Sequence, residues 1–372
     1  MKKSVLPPLF CACIALLVAG VSPSYSACDA VCRTLSDPLR RLFAGVSSLV
    51  SFPLAEAALF IFPVLLVLLP FLPKKRSVER TTSLAFAFCS LFLLLSVLPA
   101  RRFAPAPGPV PEEELTAFTV WLADRANGEE ALLPAFDGRG TPPARESVQE
   151  LSAAVTDALR KTGLCPTGPY RVKATLFPGL FRRSGLLGYQ FAFTGEAVID
   201  PRAPAYTLPF TAAHEAAHQA GILPEGEASF VAYVALTEST DPALRYAGWT
   251  GALDACLPYL PAETQTEIVS SLVSRVREDL GLFDLVLPSS GSAAADPVSV
   301  FTSSGIGRRN ARGSGSDGFL KSTASDDPAA TPWAVPESSS AGSEISPRRA
   351  FSLIEPSVKD ASRMRAETFS VS

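Results

Sequence analysis

The sequence predicts an α+β protein in which N-terminal transmembrane helices precede a mostly helical domain carrying a small sheet. Three observations predict it. Apolar stretches at residues 9–21, 54–72 and 81–99 crowd the first hundred positions. Segments of helical period, bounded by capping and breaking residues, fill most of 112–280, and two runs rich in aromatic and β-branched residues interrupt them. The only two histidines of the chain, His214 and His218, stand four apart with Glu215 directly after the first.

Composition fits that division. Of 372 residues 47% are hydrophobic and 19% charged, 33 are proline, and the mean hydropathy is +0.23. In a chain with a polar tail such a hydropathy implies membrane segments. A net charge of −3, without a basic stripe carrying interleaved aromatics, excludes a nucleic-acid partner.

The first apolar stretch follows Lys2 and Lys3 and precedes Ser24, Tyr25, Ser26 and Ala27, so residues 1–26 read as a signal-like segment or a first transmembrane helix. Stretches 54–72 and 81–99 each approach the roughly 20 residues that cross a bilayer. Lys74, Lys75, Arg76 and Arg80 lie between these two stretches and, with Lys2 and Lys3, belong in the cytoplasm. Arg101 and Arg102 weaken the bias without reversing it. Residues 100–111 then form a Pro-rich linker that lifts an extracytoplasmic domain, 112–285, off the membrane. Residues 286–372, rich in Ser, Gly, Pro and Ala, read as a disordered tail. Four cysteines, Cys28, Cys32, Cys165 and Cys256, fall on the outer side. An oxidising compartment there would permit a Cys165 to Cys256 bridge and one joining Cys28 and Cys32.

Within the domain, helices are expected at 112–127, 145–162, 209–221, 224–239, 242–257 and 262–280, and strands at 170–177 and 189–199. The helix at 209–221 holds the sequence His214, Glu215, Ala216, Ala217, His218, the pattern H-E-x-x-H of zinc metallopeptidases. Residues four apart lie on one helical face, so both imidazoles can reach one Zn2+ ion while Glu215 flanks it. Water on that ion loses its proton readily, and Glu215 is placed to accept it as catalytic base. Strand 189–199, just upstream, is where an extended substrate could pair along a sheet edge.

A third metal ligand must be a carboxylate, because histidine is exhausted. The metzincin extension fails at Pro224, and the only methionines are Met1 and Met364. Counting from Glu227, Phe230, Val231 and Val234 form an apolar stripe, so Glu227 is expected to face the metal, with Glu225 in reserve. Tyr233, Arg245 and Tyr246 are candidates to stabilise a developing oxyanion, and Tyr246 is preferred. The expected architecture is thus zincin-like, of gluzincin type.

The run Thr194 to Ala197, the run Leu208 to Gly221 and the run Glu225 to Tyr233 resemble the DUF3810 family, as do Arg245, Tyr246, Ala247 and Gly248, with Ala247 where Ser is more usual. The resemblance covers roughly residues 5–285 and leaves the tail outside. It implies a multi-pass protein of the bacterial cell membrane, and by position it supports His214, Glu215, His218 and Glu227 as site residues. It supplies neither substrate nor reaction. The expected function is a membrane-anchored zinc metallopeptidase that hydrolyses peptide bonds on the extracytoplasmic side through zinc-activated water. The alternatives are a catalytically inactive zincin-like receptor or adaptor, and a zinc hydrolase acting on a cell-wall amide. Cleavage inside the bilayer is disfavoured, because Thr211, Glu215 and Gln219 make the motif helix too polar to span, and the site is expected in water.

Overall fold

A computed structural model describes residues 6–68, 74–103, 110–133, 147–178 and 186–282. It is mostly helical with a small mixed sheet, the α+β class expected. The tail, the linker over 104–109 and the outer part of stretch 54–72 lie outside the described residues.

The amino-terminal part consists of α1 (Leu6–Val21), α2 (Tyr25–Val31), α3 (Asp37–Ser48), α4 (Leu54–Leu68) and α5 (Lys74–Phe92), with wider π-helical turns after α2 (Cys32–Ser36) and α5 (Leu93–Val97). Among the described residues one helix is long and apolar enough to cross a bilayer, the 21 residues Thr81–Arg101, and α1 is a shorter apolar helix packed against it. Helix α3 is amphipathic with its polar side buried: Asp37, Arg40 and Ser47 are covered, whereas Leu42, Val46 and Leu49 are exposed. Arg102 grips Asp37 with two hydrogen bonds, of 3.1 and 3.0 Å, and reaches Asp29 at 2.5 Å. Cys28, Cys32, Cys165 and Cys256 are free thiols rather than bridged. Cys165 and Cys256 are each buried in apolar surroundings, and burial pushes both thiols up to about 12.

The sheet has strands β1 (Val172–Ala174), β2 (Gly188–Phe191) and β3 (Glu196–Ile199) in the order β1-β3-β2, with β1 parallel and β2 antiparallel to β3. Val172 faces Ala197 across one side, and Gly188 faces Ile199 across the other. The single strand expected over 189–199 is therefore a hairpin. Gly195 turns the chain with φ of 65°, and a Cβ there would lie 2.5 Å from the Ala44 nitrogen of α3. The strand that leads toward the motif helix, β3, is central, and β2 is the edge.

Around the sheet stand α6 (Glu112–Glu130), α7 (Val148–Thr162), α8 (Leu208–Gln219), α9 (Glu225–Thr237), α10 (Pro242–Cys256), α11 (Ala262–Ser271) and α12 (Ser274–Asp279). A capping box of Ser147 and Glu150 starts α7, and left-handed Gly163 ends it. The helix expected over 262–280 is two helices, because Leu272 and Val273 adopt extended backbone between them. Helix α8 is central and packs on β2, β3, α7, α9 and α10. Its buried alanines, Ala212, Ala213, Ala216 and Ala217, let those neighbours approach closely.

The domain is not held away from the amino-terminal helices. Glu196, fully buried on β3, accepts hydrogen bonds from the Leu54 and Ala55 amides at the start of α4, at 2.7 and 2.9 Å. It also accepts from Lys173 of β1 at 2.6 Å, and Lys173 donates further to the carbonyls of Ser47 and Phe52. Glu56, buried in the first turn of α4, accepts from Thr175, the Leu176 amide and Tyr189. An ion pair this buried leaves a costly uncompensated charge when one partner is removed. Lys173→Met should therefore destabilise the protein by about 3–5 kcal/mol. Adding Glu196→Gln should recover part of that loss in denaturant titrations of the full chain in detergent.

Candidate metal-binding site

Helix α8 begins with Pro209 in its first turn, where a missing amide costs nothing, and its last turn closes through Gly221 at φ of 100°. The short link through Ile222 and Pro224 starts α9 at Glu225, directly over the Nε2 atoms of His214 and His218. The Glu225 carboxylate lies 3.1 Å from His214 Nε2 and 3.5 Å from His218 Nε2. The two rings stand nearly perpendicular, with centroids 4.5 Å apart. One donor atom from each of the three residues falls within 4.8 Å of the other two, a group able to hold a metal ion.

The other ring nitrogens are already occupied. His218 Nδ1 donates to the Ile222 carbonyl at 2.6 Å, and His214 Nδ1 lies 3.1 Å from the Ser229 hydroxyl, one turn beyond Glu225 on α9. Such partners fix ring orientation and leave Nε2 as the ligating atom. Both histidines are buried, whereas the Glu225 side chain is 43% exposed and marks the opening to solvent.

Glu215 lies within electrostatic reach of both histidines and of Glu225. Its Oε2 is buried without a hydrogen-bond partner, an expensive state for a carboxylate unless a ligand completes it. Burial pushes its carboxyl above the ordinary range, against the two histidines, and Glu225 adds to the rise. Strand β2 lies against it. A Cβ on Gly188 would be 2.9 Å from Glu215 Cγ, from Thr211 Cγ2 and from the Val198 oxygen, so only glycine lets the edge strand run this close to α8.

Sequence reasoning chose Glu227, and the structure brings Glu225 to the histidines instead. The stripe argument fails because α9 is buried on almost every side, from Gly226 through Leu236, and so has no single apolar face to orient it. Tyr246 is also corrected. It is fully buried and donates to Asp279 at 2.6 Å, as part of the core. Arg245 binds Glu129, and Tyr233 packs on Trp249. Ser229 was overlooked, although its spacing of four from Glu225 places it on the same face. Arg40 was overlooked too: from α3 it donates to the carbonyl of His218 at 3.0 Å and to that of Leu95.

Burial opposes the charge on Glu225, but hydrogen bonds from both imidazoles outweigh it and hold this carboxyl well below the usual carboxylate range. Burial likewise opposes a charged His218, yet its bond to Glu225 and the charges of Glu215 and Glu225 raise it above 6.5. In the metal-free protein the His218 contribution to stability is therefore full below 6.5 and lost as pH rises through the elevated folded value. The Glu225 contribution is present above 4.5 and lost as pH falls through the depressed one. Nitrogen-labelled histidine NMR of metal-free protein should show His218 titrating above 6.5, and Glu225→Gln should bring that midpoint down. A midpoint that does not move would show that Glu225 does not hold the ring.

No curated protein and no solved structure matches the chain. The family model described as protein of unknown function (DUF3810) matches residues 33–284, which takes in α3, α4 and α5 together with the sheet and α8. On that match over more than half its length, the chain belongs to the DUF3810 family.

Proposed function

We propose that the protein is a membrane-anchored zinc metallopeptidase of gluzincin type. The observation that carries this reading is the convergence of His214, His218 and Glu225 beside the unpartnered carboxylate oxygen of Glu215. Two imidazole nitrogens and one carboxylate oxygen suit zinc, and Ser229 and the Ile222 carbonyl supply the outer partners such ligands use. A bound zinc ion would supply electrophilic activation of the scissile carbonyl and a lowered pKa for water. Glu215, with its proton affinity raised by burial, takes the proton of the attacking water and delivers it to the leaving amine. Strand β2, an edge on its outer side, offers backbone groups along which an extended peptide can pair next to Glu215. The buried, unpaired oxygen favours catalysis over an adaptor, since a purely structural site has no use for it.

In the same reading Thr81–Arg101 crosses the bilayer, α1 and α4 accompany it, and the positive charges near residues 2–3 and 74–80 keep those ends in the cytoplasm. The site then lies on the extracytoplasmic side.

Metal content and peptide hydrolysis by the full chain test the assignment. Glu215→Gln should keep zinc and lower kcat by about 10²–10⁴-fold. His218→Ala and Glu225→Ala should lose the metal, whereas Glu227→Ala should keep it. Retained hydrolysis by Glu215→Gln, or zinc retained by Glu225→Ala, would overturn the respective roles.

A further inference from the structure

We infer that the site acts on polypeptide segments where they emerge from the outer leaflet beside α5, rather than on freely diffusing peptides. This rests on the peptidase and membrane readings above and adds to them a substrate class.

The depth of the site along α5 is the first argument. The Arg40 guanidinium bonds at once to the His218 carbonyl, in the last turn of α8, and to the Leu95 carbonyl of the apolar helix. Leu95 precedes the Arg101 end of that helix by six residues, about 9 Å at 1.5 Å per residue. The end of the motif helix is therefore level with the outer part of the apolar span, not above it.

The β2–β3 hairpin reaches further. Phe193, in its turn, stacks on Phe88 of α5 with ring centroids 4.3 Å apart, and Phe191 packs on Phe193. Phe88 lies 13 residues inside Arg101, about 20 Å along a core roughly 30 Å thick. Phe88 is itself exposed, as are Leu84 and Phe92 on the same face of α5. Beyond β1, Phe177 meets exposed Phe60 of α4.

Helix α3 supplies an independent sign. It turns Leu42, Val46 and Leu49 outward, 59%, 53% and 82% exposed, while burying Asp37, Arg40 and Ser47. In water that arrangement would be inverted; against acyl chains it is the favourable one. The apolar helices α1 and α4, which flank it along the chain, point to lipid as the medium it faces.

Strand β2 thus runs from Gly188, against Glu215, to Phe191 and the phenylalanine cluster on α5. A peptide paired along it has one end at the base and the other at a lipid-facing helix. A chain that adjoins a membrane span can satisfy both positions. The motif helix is too polar to face lipid, but protein covers almost all of it, and the part-exposed Glu225 is left at the opening of the site.

Two measurements on the full chain in phosphatidylcholine nanodiscs test this. Phe193→Trp should show fluorescence quenched by acyl-chain-brominated phosphatidylcholine, beyond the quenching of the parent's own tryptophans. Equal quenching would overturn the placement, whatever the activity. Zinc-loaded protein should also be given single-span polypeptides with randomised outer segments, together with the same segments free in solution. Cuts should cluster within about three turns' length of the span, at least tenfold faster than in the free segments, and Phe193→Asp should reduce only the anchored reaction. Cuts scattered evenly along the segment, or equal rates for the free pool, would overturn the substrate class. Quenching as expected with neither pool cut would instead defeat the peptidase reading, and the substrate class with it.

Discussion

Four donors converge on the carboxylate of Glu196: the Lys173 ammonium, the amides of Leu54 and Ala55, and the Thr194 hydroxyl. A carboxylate with no exposed surface persists only when its oxygens are satisfied, and here the partners come from β1, from the hairpin turn and from the first residues of α4. Once this group is buried, the sheet cannot shift relative to α4. Glu56 repeats the constraint in the same turn of α4, holding Thr175, the Leu176 amide and Tyr189. The position of β2 beside Glu215 follows from the same anchorage, since β2 is registered on β3 through Gly188 and Ile199.

From that fixed sheet the site follows by small residues and short links. Gly188 removes the side chain that would hold β2 away from α8, and the alanines of α8 let α7, α9 and α10 close around it. Packing on so many sides leaves the two imidazoles little freedom, and Ser229 and the Ile222 carbonyl remove what is left. The link from Gly221 to Pro224 is too short to let α9 start elsewhere, so Glu225 arrives at the open end of the histidine pair.

Local signals made much of this legible. The spacing of His214, Glu215 and His218, the helix that stops at Gly163 and the apolar stretch from Thr81 are all written in neighbouring residues, and each stands in the structure. What could not be read depends on contacts distant in sequence. Lys173 and Glu196 look like ordinary charges until residues 47–55 are brought against them. The choice between Glu225 and Glu227 turned on a helical stripe, a signal that vanishes when a helix is buried all round. Tyr246 looked available for chemistry because nothing nearby in sequence reveals Asp279 as its partner. The hairpin inside 189–199 was hidden for another reason: Phe191, Ala192 and Phe193 have strand propensity, and the turn is imposed by the close approach of Gly195 to α3.

Arg40 joins these two levels. The last turn of α8 leaves carbonyl groups without helical partners, and a buried guanidinium is a strong way to satisfy one of them. Burial lowers the pKa of Arg40 to about 10, against the pull of Asp37, yet far enough above neutrality that it stays charged. A positive charge at the carboxyl end of α8 complements the helix dipole, and it does so at the carbonyl of His218, the residue whose ring faces Glu225. The same side chain grips Leu95 within the apolar helix. The end of the site helix and the apolar helix are therefore held together by one buried charge. The amino-terminal helices thus do more than tether the domain: they supply one wall of the structure that holds its histidines.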